Sequence, residues 1–409
     1  MASVYSNGHL TIAAMRSSSG SGGLYTQTPD FEVSGKTLDG EYYRLFFRER
    51  IDHQIDAGFE TTEFTATETY YPLLSRAWVY QERMLSTRVL HFGRYELFFE
   101  CKSSIDCECG SIHNHGAGSE TPVPLIKIEY ADNLSDYDIS RDEQSLADVH
   151  YRSARLWRTM VSCYTVLSLT KSIDRLPAIG GLARQMHSKR NSKYSAGLWE
   201  DTLQDDLLWE VYTASRLKKP RPYPRNAPTW SWASVETFVG YTDVILFTDI
   251  EGQLAEQREP VEYLSTIDGC TVEKSAIDEF GTIAHGRLSI TGLVAEGVLE
   301  REIESHDDGE SVAHYACLPG FRLPVASDYL LDHDGPGHTT PGTPVFLLCM
   351  SLLQPGRKES LISLVLRRSP DMPGVFERIG TSNFTVVRGS VDPRCEVFDK
   401  TDLQTMVIV

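Results

Sequence analysis

Ser75–Gly93 reads SRAWVYQERMLSTRVLHFG, and Tyr95–Cys101 continues it as YELFFEC. Ser75 is of the type that caps a helix, and behind it Ala77 and Met84, with Trp78 and Leu85 beside them, recur at helical spacing. Arg76, Gln81, Glu82 and Arg83 then fall on the other flank, where charged residues are ordinarily solvated or paired at surface strength. Val89–Phe92 and Glu96–Phe99 read as two short strands around a turn at Gly93 and Arg94. The stretch predicts helix, strand, turn, strand.

Toward the N-terminus, LTIAA at residues 10–14 predicts a short strand, and SSSGSGG at 17–23 a loop with little to bury. Tyr42–Phe47 is a further apolar run, and Asp52–Thr69 lacks periodicity and reads as irregular. Toward the C-terminus, residues 110–148 are rich in Gly, Ser, Asp and Pro and predict a linker or surface loop. A helix follows in which Trp157, Val161 and Tyr164 fall at i, i+4 and i+7. Asp174 reads as the cap of the next helix, with Pro177 in its first turn and Leu176, Ile179, Ala183 and Met186 on its buried edge. A third helix is expected over Ala196–Tyr212, with Trp199, Leu203 and Leu207 on one side.

Prolines at 220, 222, 224 and 228 end this helical module. TWSWASV after them alternates and predicts a strand burying Trp230 and Trp232 on one face. Arg287–Val294, Pro344–Leu353, Ser360–Leu366 and Gly374–Arg378 are β-type runs between turns, and the acidic Gly/Pro segment Asp328–Gly342 reads as a protruding loop. The fold class expected is mixed α+β.

The 409 residues carry 57 acidic and 39 basic side chains, a formal charge of −18. A polyanion-binding face needs clustered Lys and Arg, and the densest basic stretch, Arg216–Arg225, is short and broken by prolines, so nucleic acid is not an expected partner. No signal peptide opens the chain and no window reaches the roughly 20 apolar residues of a spanning helix, so a cytoplasmic protein with reduced thiols and no membrane partner is expected.

The strings around Arg76, Trp78, Gln81, Glu82, Arg83 and Leu85, with the FFEC that ends at Cys101, resemble the heterokaryon-incompatibility (HET) domain of filamentous fungi. LWRTMVSCYTVLSLTKSIDRLPAIGGLA, YSAGLWEDTLQDDLLW and APTWSWASV, which hold Trp157, Asp174, Trp199, Trp230 and Trp232, follow in the order seen after the domain in larger members. SLVLRRSPDMPGVFERIGTSNF is similar to their β-rich tails. The resemblance implies a role in vegetative incompatibility, where contact between genetically unlike hyphae triggers growth arrest or cell death. It also implies a fold similar to the TIR domain. A complete HET domain opens with strand patterns that are not found here, so residues 1–109 are expected to be its C-terminal half. Residues 110–148 would then be the linker, 149–219 the helical module and 220–409 the β-rich region.

Candidate chemistry is sparse. Cys101, Cys107 and Cys109, followed by His113 and His115, offer thiolate and imidazole donors to zinc, but the C-x-C pair is not the usual knuckle, and free thiols are the expected state. Gln81, Glu82 and Arg83 are expected on a solvated face rather than in catalysis. The chain carries no G-x-S-x-G, GxGxxG or Walker A pattern, so no catalytic or cofactor-binding residues are assigned. The function expected is an incompatibility protein acting through protein partners, with its oligomeric state left open. The alternatives are a TIR-like NAD-cleaving enzyme, once the front half of the domain is restored, and a zinc-stabilised module.

Overall fold

The computed structural model describes residues 2–25, 31–47, 71–110, 126–139, 143–212, 218–241, 261–275, 278–306, 309–354, 358–387, 392–398 and 401–409. The irregular stretch expected at 52–69 and the histidines at 113 and 115 lie outside them. The protein is mixed α+β, in two compact units, Met1–Asp136 and Tyr137–Val409.

In the first unit, α1 (Ala2–Asn7) and β1 (Thr11–Ala13) precede a hairpin of β2 (Phe31–Lys36) and β3 (Tyr42–Phe47). Register places Phe31, Val33, Tyr43, Leu45 and Phe47 on one face of that hairpin, all of them exposed. The stretch around Ser75 forms α2 (Ala77–Leu85), β4 (Arg88–Phe92), β5 (Leu97–Cys101) and, beyond the expected strands, β6 (Ile105–Cys107). The sheet order is β1-β4-β5-β6, with β1 parallel to β4 and the other pairs antiparallel. Ser75 does not cap α2: its hydroxyl donates to the Pro72 carbonyl at 2.9 Å, and Arg76 occupies the cap position without a side-chain bond. Met15, Tyr71, Leu74, Val79, Phe98, Ile105 and Cys107 form a core cluster of this unit.

Part of the expected linker is helical, as α3 (Ile126–Ile139) and the start of α4 (Glu143–Thr165). Composition misleads here because the helix buries only a short edge, Ile126, Tyr130 and the polar Asn133 at i, i+4 and i+7, in an otherwise polar stretch.

The second unit has its helical part as predicted in α4, whose Trp157, Met160, Val161 and Tyr164 are buried, and in α5 (Pro177–Arg190), whose Ile179, Ala183 and Met186 are buried. Pro177 lies at the start of α5, but Asp174 does not cap it; Asp174 ends a 3-10 turn over Ser172–Asp174, and Leu176 takes the cap position. The helix expected over Ala196–Tyr212 is replaced by a hairpin of β7 (Tyr194–Ser195) and β8 (Leu198–Trp199), a 3-10 turn, α6 (Leu203–Asp206) and β9 (Trp209–Val211). The cause is backbone geometry: Ala196 and Gly197 have φ of 53° and 96°, which no right-handed helix accepts. A Cβ on Gly197 would also come within 2.6 Å of the Trp232 indole nitrogen.

TWSWASV is likewise no strand but a turn with a 3-10 segment at Trp232–Ser234. Its alternation carries no facing information because residues 229–235 are buried throughout. The indoles are pinned by hydrogen bonds: Trp157 and Trp232 Nε1 both donate to the Gly197 carbonyl, at 2.9 and 3.0 Å, and Trp209 Nε1 donates to the Trp230 carbonyl at 2.9 Å. β9 pairs with β10 (Val239–Tyr241).

The remainder is antiparallel β-structure: β11 (Val261–Tyr263), β12 (Ser265–Lys274), β13 (Ile283–His306), β14 (Gly309–Leu318), β15 (Phe321–Ser327), β16 (Pro344–Leu353), β17 (Lys358–Arg368) and β18 (Phe376–Val387). α7 (Pro393–Phe398) and β19 (Leu403–Ile408) end it. Pairing runs β16-β17-β18-β15-β14-β13 and returns from β13 to β16, so six strands close into a barrel. Closure depends on the length of β13, whose 24 residues pair with β12 and β19 first, then with β16, then with β14. β16 and β17 are buried on both faces, which is why VFLLCMSL and SLISLVL read as continuous apolar runs. The segment expected to protrude at 328–342 instead folds inward at its start: Asp328, Tyr329 and Leu331 are buried, and the Thr339 amide donates to the Leu331 carbonyl at 3.1 Å.

Replacing Trp157 or Trp232 with Ala removes a large buried ring and an indole hydrogen bond, and each change is expected to cost about 3–5 kcal/mol. Urea unfolding of the purified chain measures this; an unchanged midpoint would contradict the packing.

Candidate functional site

The residues that carry the family resemblance meet inside the first unit. On β5, Phe98 and Glu100 point to the buried face, as do Val89 and His91 on the paired β4. α2 lies over that face and presents Arg83, which is buried rather than solvated as its flank of the helix suggested. Its guanidinium grips Glu100 as a fork, with Nη2 to Oε1 at 2.7 Å and Nε to Oε2 at 2.9 Å. His91 Nε2 stands 3.1 Å from Oε2, and Lys127 Nζ from α3 stands 3.7 Å from the same oxygen. One carboxylate thus joins two strands and two helices.

Burial pushes the Glu100 pKa up, but the charges of Arg83 and Lys127 and the hydrogen bonds from Arg83 and His91 outweigh it and hold the carboxyl far below its usual range. Burial pushes His91 down and, with the neighbouring cations, outweighs the upward pull of Glu100, so the imidazole is neutral and donates from Nε2 to Glu100. Its Nδ1 makes no hydrogen bond among the described residues. Burial likewise lowers Lys127 to about 8. The group is closed to solvent, and what it does is hold α2 and α3 against the sheet.

The other motif residues have separate roles. Arg76 is exposed and Trp78 half-buried, while Gln81 and Leu85 are buried. Burial and a hydrogen bond to Glu82 push the Tyr5 hydroxyl up to about 12. The Ser86 hydroxyl just past α2 donates to the Glu82 carbonyl and meets Thr11 Oγ1 at 2.8 Å, tying that end of the helix to β1. In the second unit, Trp157, Trp199, Trp230 and Trp232 are wholly buried and belong to the core.

The cysteine group is divided. Cys101 sits at the β5–β6 turn, where its Sγ contacts Ser103 and Ser104 Oγ at 3.3 and 3.2 Å. Burial would raise this thiol, but the two serines bring it down to about 7. Cys107 lies opposite Phe98, at the other end of the hairpin. There Cys107 and Cys109 Sγ are 3.4 Å apart, and Cys109 Sγ is 3.5 Å from Glu96 Oε1. Glu96 therefore takes the place that the sequence suggested for Cys101.

Glu100, His91, Lys127 and Glu96 were not legible as site residues. Glu100 and His91 did leave a signal, a charged or polar residue on the buried phase of an alternating strand; Lys127, on a helix hidden in a polar stretch, left none. Searches of family models, of curated proteins and of solved structures find no match to the chain.

Glu100→Gln removes the carboxylate that Arg83 and Lys127 share and is expected to destabilise the chain by about 3–5 kcal/mol. Because the folded Glu100 pKa lies below its ordinary 4.5, its stabilisation is complete above that pH and is lost as pH falls toward the folded value. Lys127 is lowered from 10.5 to about 8, so its contribution is complete above 10.5 and is lost as pH falls through about 8. Unfolding curves should show a stability-versus-pH slope across that alkaline window that is more positive in the native chain than in Lys127→Met. The same slope in both would contradict the assignment.

Proposed function

We propose that the chain is a heterokaryon-incompatibility protein of the HET type that works in the cytoplasm through contacts with protein partners. The observation that carries this reading is the Arg83–Glu100 pair. The two sequence strings that resemble the HET domain, QERM and FFEC, are joined by this fork of 2.7 and 2.9 Å, as expected if both belong to one functional unit.

Action by contact, rather than by chemistry at this cluster, is supported by its burial: Glu100 and His91 are shielded from solvent, and a general acid or base must come within hydrogen-bond reach of its substrate. The excess of 57 acidic over 39 basic side chains favours protein partners over polyanions. Among the described residues no helix is long and apolar enough to cross a membrane.

The test expresses the chain in one of two otherwise identical fungal strains and scores survival of their fused cells. Survival is expected to change in fused cells and not in unfused ones, and Glu100→Gln, compared at matched protein level, is expected to weaken the effect. Equal survival with and without the chain would overturn the reading. NAD turnover by the purified chain above a heat-treated control would favour enzymatic action instead.

A further inference from the structure

Glu96, Cys107 and Cys109 converge at the open end of the β5–β6 hairpin. One ligand atom from each lies within 4.8 Å of the other two, with Glu96 and Cys107 buried and Cys109 exposed. Chain geometry fixes the arrangement. Cys107 ends β6 opposite Phe98, the Gly110 amide donates to the Cys107 carbonyl at 3.0 Å, and Gly110 at φ 72° turns the chain back. The Cys109 amide donates to Glu96 Oε2 at 2.8 Å, which fixes the carboxylate and leaves Oε1 beside the Cys109 sulfur. The Gly93 amide, in turn, donates to the Glu96 carbonyl at 3.0 Å.

These separations suit a tetrahedral ion. With Zn–S near 2.3 Å and Zn–O near 2.0 Å, tetrahedral angles require about 3.8 Å between two sulfurs and about 3.5 Å between sulfur and oxygen. The structure has 3.4 Å for Cys107 to Cys109 and 3.5 Å for Cys109 to Glu96. Thiolates are soft donors and the carboxylate a hard one, a combination suited to a borderline divalent ion. Two thiolates and a carboxylate carry three negative charges when deprotonated, and a divalent cation offsets most of them. The exposed side at Cys109 leaves the fourth position to water or another donor.

We infer that Glu96, Cys107 and Cys109 form a zinc-class divalent metal site that staples the β5–β6 hairpin, with no part for Cys101. Binding is metal–ligand exchange in which each thiol releases one proton to solvent as its Zn–S bond forms, without oxidation or reduction. The site is independent of the proposed function.

The test uses the purified full chain in reducing buffer, titrated with cobalt(II) as a spectroscopic stand-in for zinc and then with zinc itself. About one equivalent of cobalt should give a sulfur-to-cobalt charge-transfer band with tetrahedral visible absorption, and zinc should displace it. Cys107→Ser and Cys109→Ser should each lose much of the band, and Glu96→Gln should shift the visible absorption. Cys101→Ser should leave both unchanged, and circular dichroism of every variant reports whether it folds. Absence of a thiolate–cobalt band in the folded native chain would overturn the site, as would its loss in folded Cys101→Ser. A Cys107–Cys109 disulfide that persists in the reducing buffer and blocks cobalt would overturn it equally.

Discussion

The fork between Arg83 and Glu100 sets what the first unit can be. A carboxylate on the inner face of a sheet is costly to bury, and it is tolerated only where cations and donors saturate it. Arg83 supplies the fork, His91 a third hydrogen bond and Lys127 a further positive charge, and each comes from a different element. The placement of α2, of α3 and of the β4–β5 register therefore converges on one side chain. Sliding β5 by one residue would turn Glu100 outward and take its carboxylate away from both Arg83 and Lys127.

The second unit uses the same device. Arg158 pairs with Asp206 at 2.9 Å, and Asp206 also accepts the Trp199 amide at 3.0 Å, so α4, β8 and α6 are locked together beneath the tryptophans. Arg378 on β18 pairs with Asp328 at 3.0 Å and also donates to the carbonyls of Leu207 and Trp209, joining the barrel to the segment after α6. Arg378 thereby gives hydrogen-bond donors to two buried backbone carbonyls, those of Leu207 and Trp209. Apolar burial drives the folding of both units, and the buried pairs determine which elements meet.

Long periodic elements were legible in the sequence. α4 declared itself by Trp157, Val161 and Tyr164, and α5 by Pro177 and its buried edge, because a 3.6-residue period held over several turns matches an amphipathic helix and little else. The β-rich C-terminal region was legible too, from continuous apolar runs between turns. Reading failed where burial is complete on every side. Trp199, Leu203 and Leu207 fit a helical stripe, and Trp230 and Trp232 an extended one, yet both segments turn through tight geometry that local spacing does not encode. The buried ion cluster was legible only in part, since Arg83 has the sequence signature of a solvated residue and its partner stands 17 positions away. Barrel closure was not legible, because it depends on pairing between β13 and β16, which local pattern does not specify.

The account turns on Arg83 and Glu100 acting as a pair rather than as two independent buried groups. A double-mutant cycle with Arg83→Met, Glu100→Leu and the combined variant, followed by urea unfolding at neutral pH, measures that directly. The predicted result is a double variant more stable than the two single losses added together, with a coupling of about 2–3 kcal/mol. Additivity to within about 0.5 kcal/mol would contradict it.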